Sequence, residues 1–434
     1  MTDGSGGPMS QGRTAEHNQE HNRLDESTNP VARRRDDGHR IKVMLLGSDE
    51  LARELAIAFQ RLGAEVIAVE GHADAPAHGV ADQSLVVKMT AADQLTAVIG
   101  RVQPDYIVTL TDAVAADALT AVAETRSAQV VPSSRGARLS NDLEGLRRLA
   151  ADELGLPTAP FWFAGSLDEL EAVAAHAGFP LVVKPLKAGG QGQSRVSKPD
   201  ELEPAWQRAV SAGSPLIHNR VLAETAVEVD VHVTLIAVSS VGPTGPKIEF
   251  CAPIGHSELG GDALESWQPQ ELRPAALDSA KSIAARMVKA LGGRGVFAVE
   301  LMVAGDEVYF SDVTACPLER GLVTLRTQRL SQFELQARAT LGLTVDTVMI
   351  SPGAAHVIHA GHEAVGAADH AEPHTAAALA DALAVPESDI RVFSSRGTES
   401  RRWFGAALAT APDTSTARDR SQQVATALRR LRQP

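Results

Sequence analysis

Two apolar segments within residues 295–321, GVFAVELMVAGDEVYFSDVTACPLERG, constrain the fold of this chain more than any other feature. Their β-branched and aromatic residues predict two strands, Val296–Val303 and Glu307–Val313. The intervening Ala304-Gly305-Asp306 predicts a tight turn, so the segments should pair as an antiparallel hairpin.

The register of this hairpin decides whether two acids meet. A three-residue loop centred on Asp306 places Glu300 directly opposite Asp312, with Cβ atoms about 5 Å apart. A two-residue loop shifts the register by one and puts the two acids on different faces. Opposed carboxylates repel unless one is protonated or a cation lies between them, and magnesium with a nucleotide phosphate is a common solution.

The other interpretation of this segment is a surface hairpin with two solvated acids. The flanking residues are too apolar for that: Phe297, Leu301, Val303, Val308 and Phe310. The pattern therefore favours a metal site at Glu300 and Asp312.

Length and charge limit the class of protein. A chain of 434 residues predicts about three domains of ~150 residues each. The formal net charge of −13 argues against a nucleic-acid-binding surface. Two cysteines form no disulfide framework, and no apolar run is long enough to cross a membrane. We expect a cytoplasmic protein that binds neither nucleic acid nor membrane.

The predicted domains are residues 41–140, 141–350 and 351–434. Residues 1–40 contain almost no apolar side chains, so we expect a disordered tail there. From Ile41 onward, strands and helices alternate, which predicts a wound α/β domain with an open parallel sheet. Asn141–Leu154 is predicted as one helix at the start of the second domain.

Ligands on open parallel sheets bind beyond the carboxyl ends of the strands. Four polar residues follow predicted strands at that edge: Ser48, Asp49, Glu50 and Asp112. Gly47 is the single glycine after the first strand, so the dinucleotide-binding fingerprint is absent and a Rossmann dehydrogenase is disfavoured.

Lys184 lies in the predicted buried strand Leu181–Pro185, where a lysine is costly unless it pairs with an anion. The glycine-rich loop 187–194 follows, and its amides could close over phosphates. The alternative is a turn with a lysine whose ammonium reaches solvent. The pattern is not that of a P-loop NTPase.

The order of these features resembles that of the ATP-grasp superfamily: a wound α/β domain, the strand with Lys184, a glycine loop, Glu224 and the acidic hairpin. More closely, the chain is similar to the formate-dependent phosphoribosylglycinamide formyltransferases. The similarity is carried by segments spread over residues 41–410, among them VMLLGSDELARELAIAFQRLGAEVIAVE, GLRRLAADELGLPT, FPLVVKP, ALGGRGVFAVEL, GDEVYFSDV and SRRWFGAALAT.

This resemblance implies an α/β protein with the ATP-grasp fold. It would have an N-terminal wound parallel domain, a central α+β nucleotide-binding domain and a small β-rich C-terminal domain. It also implies an activity in purine biosynthesis, with ATP and Mg²⁺ as cofactors. Formate is activated as formyl phosphate, and the amine of glycinamide ribonucleotide then attacks it. The resemblance further implies a homodimer.

The site residues implied by the resemblance fall into three groups. Lys184 and Glu319 would be catalytic, and Glu300 and Asp312 would bind the metal. The residues implied for ATP binding are Lys184, Gly189, Gly190, Gln191, Gly192, Gln193, Glu224, Val227 and His232. The residues implied for binding the ribonucleotide are Glu50, Leu51, Asp112, Glu319, Arg396, Arg401 and Arg402.

Several positions depart from the family pattern. Leu143 and Cys316 replace arginines, and His232 replaces a glutamate expected at the ribose. Asp112 and Asp312 are shortened from glutamate, whereas Glu319 is lengthened from aspartate. Arg320 or Lys187 could compensate for the lost arginines. Two alternatives stay open: an ATP-grasp enzyme with another acid or amine substrate, and a catalytically weak nucleotide-binding homologue.

Overall fold

A computed structural model describes residues 40–140, 142–186, 192–212, 220–242, 245–259, 263–360, 373–393 and 402–429. The described residues from Lys42 onward form one compact unit. The tail predicted at residues 1–40 lies outside the described residues, apart from Arg40. No helix among the described segments is both long and apolar enough to cross a membrane.

The first sheet is parallel, as predicted for a wound α/β domain. Its five strands are β1 (Lys42–Leu46), β2 (Glu65–Glu70), β3 (Gln83–Val86), β4 (Tyr106–Thr109) and β5 (Gln129–Val131), in the order β3-β2-β1-β4-β5. The helices between them are α1 (Glu50–Arg61), α2 (Ala92–Val102) and α3 (Ala116–Thr125). Because β1 is central, Val43 to Leu46 are fully buried, which explains their apolar run. The Asp49 carboxylate caps α1 by accepting from the Ala52 amide at 2.8 Å.

A second, antiparallel sheet carries Lys184. It contains β6 (Phe161–Ala164), β7 (Leu181–Pro185), β8 (Ser194–Val196) and β9 (Val221–Thr225), in the order β6-β9-β7-β8. Helices α6 (Leu167–Ala177) and α7 (Leu202–Ala212) pack their apolar residues against it. They follow α4 (Ser134–Ser140) and α5 (Leu143–Arg148) in the chain. The sequence did not predict the short strand β8.

The third sheet is large and contains the acidic hairpin. Its nine strands are β10 (Val231–Gly242), β11 (Gly245–Phe250), β12 (Ile254–Leu259), β13 (Ala263–Gln268), β14 (Gly295–Ala304), β15 (Glu307–Thr314), β16 (Gly353–Ala360), β17 (Ser388–Val392) and β18 (Arg402–Thr410). The path is β15-β14-β10-β12-β13-β16-β18-β17, and β11 pairs with β10. Because β13 pairs with β16, the sheet continues across residue 350. The domain boundaries at 140 and 350 stay a prediction.

The remaining helices are α8 (Pro274–Leu291), α9 (Thr324–Thr327), α10 (Gln332–Thr340), α11 (Pro373–Leu383) and α12 (Thr414–Arg429). The helix predicted at Asn141–Leu154 is present over Leu143–Glu153, but it is not α-helical throughout. Helix α5 ends at Arg148, and a π-helical turn continues it over Leu149–Glu153. The Asp142 carboxylate caps α5 by accepting from the Gly145 amide at 2.9 Å, which fixes where that helix begins.

The hairpin confirms the pairing of Glu300 with Asp312 but not the turn from which it was inferred. The loop has two residues, and Gly305 adopts φ +62°, as the first position of a type II′ turn requires. Ala304 pairs with Glu307, and Leu301 pairs with Phe310. A β-bulge then leaves Ser311 extra, so that Glu300 still pairs with Asp312.

The junction between α8 and β14 fixes the hairpin against the first sheet. The Arg294 amide donates to the Pro132 carbonyl at 3.2 Å, and the Ser133 hydroxyl donates to the Leu291 carbonyl at 3.1 Å. Gly293 adopts φ +93°, and a Cβ there would lie 1.8 Å from the Pro132 oxygen. The close approach therefore requires glycine at position 293.

We expect Gly293→Ala to destabilise the fold by more than about 2 kcal/mol, because the new methyl overlaps a backbone carbonyl. The matched control is Gly292→Ala. Gly292 also has a positive φ, +70°, but nothing lies within 4 Å of the position that a Cβ would take there. That control isolates the backbone strain, about 1–2 kcal/mol. Chemical denaturation measures both free energies of unfolding, and equal losses would contradict the steric argument.

Candidate active site

The acidic pair lies on one face of the large sheet because of the β-bulge. Residues Phe297, Val299 and Leu301 of β14 pack with α8 in the core, so Glu300 faces the other side. On β15, Phe310 and Val313 both pack into this core. They are three positions apart, whereas residues on one face of a regular strand are separated by an even number of positions. The extra residue thus moves Asp312 to the face of Glu300.

Burial raises the pKa of Asp312 above its ordinary range, and the charge of the opposed Glu300 acts in the same direction. The Val313 amide, which donates to Asp312 Oδ1 at 2.7 Å, opposes this shift, as do the charges of Arg147 and Lys184. The two carboxylates therefore interact strongly, and a cation would lower the free energy of their ionised forms.

Arg320 supplies one such cation. Its Nη1 donates to Glu300 Oε1 at 2.6 Å, and the exposed fractions of the two side chains are 21% and 19%. Arg320 lies in a short 3₁₀ helix, Glu319–Val323, that follows β15. From the sequence, Arg320 is a candidate substitute for the lost arginines, whereas its pairing with Glu300 is evident only in the structure.

Two histidines lie beside the acidic pair. His232 on β10 pairs with His256 on β12, and their ring centroids are 6.1 Å apart. Burial lowers the pKa of His256 well below its usual value, and the charge of Arg320 acts in the same direction. Burial also lowers the pKa of His232, an effect that Glu300 opposes. Both rings are therefore neutral at neutral pH and offer one donor and one acceptor each.

Lys184 is held by a buried acid, as its position in an apolar strand requires. Its Nζ lies 2.5 Å from Glu224 Oε2. Arg147 pairs with the other oxygen of Glu224, and the Arg147 Nη1 also donates to the Phe310 carbonyl at 3.3 Å. Glu224 therefore ties the lysine strand to the hairpin strand through Arg147.

Sequence reasoning missed Arg147, although a signal was present. Leu143, Leu146 and Ala150 mark the buried side of this helical segment, and all three are buried in the structure. Arg147 falls on that side, and its side chain is 1% exposed. A basic residue on an apolar helical face predicts a buried acidic partner.

The carboxyl edge of the first sheet lies near the end of the hairpin. Glu50 is 6% exposed at the start of α1. Residue Asp49 is exposed as a whole, yet desolvation of its carboxylate raises its pKa to about 6, and the charges of Glu319 and Glu70 add to this. Glu319 Oε2 also lies 3.4 Å from His359 Nε2. Acidic groups from two distant parts of the chain therefore meet here.

Cys316 has no marks of a nucleophile. Burial raises the pKa of its thiol to about 12, and the charge of Asp49 acts in the same direction. The thiol is therefore protonated at neutral pH. Leu143, the other position where the resemblance implies an arginine, packs with Leu186 and Leu222 in a small apolar cluster.

The remaining predicted site residues differ in burial, and several lie outside the described residues. Asp112 and Gln193 are exposed, Leu51 is buried, and Val227 is half-buried between β9 and β10. Gly192 adopts φ +82° at the end of the glycine loop. The residues outside the described ranges are Gly189, Gly190, Gln191, Arg396 and Arg401. Arg402 begins β18, and its side chain is likewise not described.

A metal at this site would depend on the acidic pair and on a bound phosphate. Within the described ranges, no group of three or more histidine, cysteine or acidic residues has an arrangement that could hold a metal ion. Two carboxylates suit Mg²⁺, which keeps several waters and commonly completes its shell with substrate phosphates. Glu300 and Asp312 therefore fit this ion.

Two family models match the chain. Residues 149–333 match the ATP-grasp domain, and residues 364–428 match the family described as PurT, C-terminal. The first match confirms the predicted fold class and assigns ATP binding to the region that contains Lys184 and the hairpin.

Individual relatives cover nearly the whole chain. A curated protein of Corynebacterium glutamicum, named formate-dependent phosphoribosylglycinamide formyltransferase, is 48% identical over 89% of this chain and 94% of its own length. A solved structure described as glycinamide-RNase-transformylase T from Mycobacterium tuberculosis is 58% identical, with a TM-score of 0.75 over 89% of this chain and 99% of that one. Carboxyaminoimidazole ribonucleotide synthase from Aspergillus clavatus, at 20% identity, has a TM-score of 0.74 over 90% of this chain and 99% of its own, and shows the fold alone.

We expect Arg147→Met to lower the free energy of unfolding by about 3 kcal/mol, because it removes one partner of a buried ion pair. The adjacent Arg148→Met is the control. Arg148 is 60% exposed and pairs with Glu144 at the surface, so its loss should cost no more than about 0.5 kcal/mol. Denaturant titration of the two variants measures the difference, and equal stabilities would contradict the bracing role of Arg147.

Proposed function

The chain belongs to the family of formate-dependent phosphoribosylglycinamide formyltransferases, and on this basis we propose that it formylates 5-phosphoribosylglycinamide with formate and ATP in purine biosynthesis. A formate oxygen attacks the γ-phosphorus, which gives formyl phosphate and releases ADP. The substrate amine then attacks the formyl carbon, loses a proton and expels phosphate. The products are formylglycinamide ribonucleotide, ADP and phosphate.

One arrangement carries the assignment of the site: Glu224 pairs with Lys184 and also with Arg147, whose guanidinium donates to the Phe310 carbonyl, so the lysine strand is tied to the hairpin strand that carries Asp312. The lysine comes from the second sheet and the acid from the third. Phosphates placed between these strands would meet an ammonium on one side and the metal-binding acids on the other. This is the arrangement that phosphoryl transfer requires.

Mg²⁺ fits the acidic pair, with Glu300 and Asp312 as its protein ligands. When bound, it would neutralise the phosphate oxygens during transfer. The remaining functions belong to side chains of this chain. Lys184 holds a phosphate, and Glu224, itself held by Arg147, positions the lysine. His232, whose ring is neutral at neutral pH, offers hydrogen bonds to the nucleotide sugar.

We assign the amine substrate to the edge where Glu50 and Glu319 lie. Glu319 approaches Asp49 there, beyond the carboxyl end of β1. A carboxylate at this position can hold the ammonium form of the substrate and accept its proton during attack. Arg401 and Arg402 supply a guanidinium pair suited to the ribonucleotide phosphate. A homodimer, which the family resemblance implies, is part of the proposal and is measurable by analytical ultracentrifugation.

Incubation with ATP, Mg²⁺ and formate, with and without 5-phosphoribosylglycinamide, tests the function. We expect ADP release that depends on both substrates and gives a formylated product. Replacing formate with acetate separates this activity from that of a ligase for another acid. Nucleotide binding without turnover, or turnover with acetate alone, would contradict the proposal.

Glu300→Gln should lower the turnover rate by at least about 100-fold, because it removes a ligand of the ion that offsets transition-state charge. Glu307→Gln is the control on the same hairpin. Glu307 is exposed and contacts the Tyr309 hydroxyl, so its loss should leave the rate within about twofold of wild type. Similar rates for the two variants would argue against a metal at Glu300.

A further inference from the structure

Arg320 occupies a position where it competes with a metal ion. Its guanidinium donates to Glu300 Oε1, one of the two oxygens with which Glu300 could bind a divalent ion. The Nε of Arg320 is buried and has no hydrogen-bond partner among the described residues. The side chain therefore lies in the site with one buried donor unsatisfied, an arrangement that costs free energy.

The backbone beneath Arg320 is fixed, so that only the side chain can move. The Gln332 side chain accepts from the Leu318 amide at 3.2 Å and donates to the Leu318 carbonyl at 2.9 Å. The Thr324 hydroxyl donates to the Gly321 carbonyl at 2.6 Å. A Cβ at Gly321 would lie 2.1 Å from Gln332 Oε1, so this turn packs closely on α10.

Charge repulsion makes it costly for a divalent ion to bind Glu300 while Arg320 still contacts it. A divalent ion bound to Glu300 and Asp312 would bring two positive charges against the guanidinium at short range. Because the guanidinium already takes up Glu300 Oε1 and its charge repels the ion, the contact between Arg320 and Glu300 opposes binding of the metal.

We propose that Arg320 is a built-in counter-ion of Glu300, which a divalent cation must displace before it can bind. The inference rests on the proposed function, since it takes Glu300 and Asp312 as the metal ligands. Arg320 thereby sets the affinity of the nucleotide-free protein for the ion. It stabilises the opposed acids until the metal arrives.

The test measures Mn²⁺ binding to the full chain without nucleotide, by the electron paramagnetic resonance signal of free Mn²⁺. Arg320→Gln and Arg320→Met should each bind Mn²⁺ about tenfold or more tightly than wild type, because loss of a charge-assisted hydrogen bond frees Glu300. Arg326→Gln is the matched control for net charge. Arg326 is 44% exposed and lies 3.8 Å from Asp389, so Mn²⁺ affinity should change by no more than about twofold.

Unchanged or weaker Mn²⁺ binding in both Arg320 variants would overturn the proposal. Loss of folding in both, seen by circular dichroism, would also overturn it, because a displaceable side chain cannot be essential to the fold. Glu300→Gln provides a separate arm. If Glu300→Gln leaves Mn²⁺ binding unchanged, the proposed metal site itself is wrong. If Glu300→Gln abolishes Mn²⁺ binding but the Arg320 variants bind Mn²⁺ as wild type does, only the counter-ion role of Arg320 is rejected.

Discussion

Repulsion between Glu300 and Asp312 is the constraint around which the charged groups of this protein are arranged. The two acids face each other across β14 and β15, and burial strengthens their interaction. Arg320 contacts one of them, and the charge of Lys184 reaches the other. An acidic pair with positive side chains beside it is well suited to bind a metal–nucleotide complex, since a further positive charge stabilises both carboxylates.

The β-bulge at Ser311 makes this arrangement possible. A two-residue hairpin loop alone would turn Asp312 into the core that contains Phe310. The bulge reverses the alternation, so that Val313 enters the core and Asp312 joins Glu300. Arg147 also holds β15 in place, because its guanidinium contacts both the Phe310 carbonyl and Glu224. Local backbone irregularity and a buried ion pair together set the position of one carboxylate.

The departures from the family pattern have distinct structural outcomes. Leu143 joins an apolar cluster, and Cys316 is half-buried with a raised thiol pKa, so that it is protonated at neutral pH. Neither position offers a charge to a phosphate. Arg320, by contrast, brings a guanidinium to Glu300. The segment after β15 therefore supplies positive charge beside the acidic pair through Arg320.

The sequence by itself determined the parallel sheet of the N-terminal region, the strand with Lys184 and the hairpin of β14 and β15. These depend on local signals, namely apolar periodicity and turn residues. The tertiary structure alone decided that Glu300 meets Asp312, because the loop has two residues and a bulge without a strong local signal restores the pairing. It also decided the partners of Arg147 and Arg320, since contacts between residues far apart in the chain, as for Arg147 and Glu224, depend on how the sheets pack and not on neighbouring sequence.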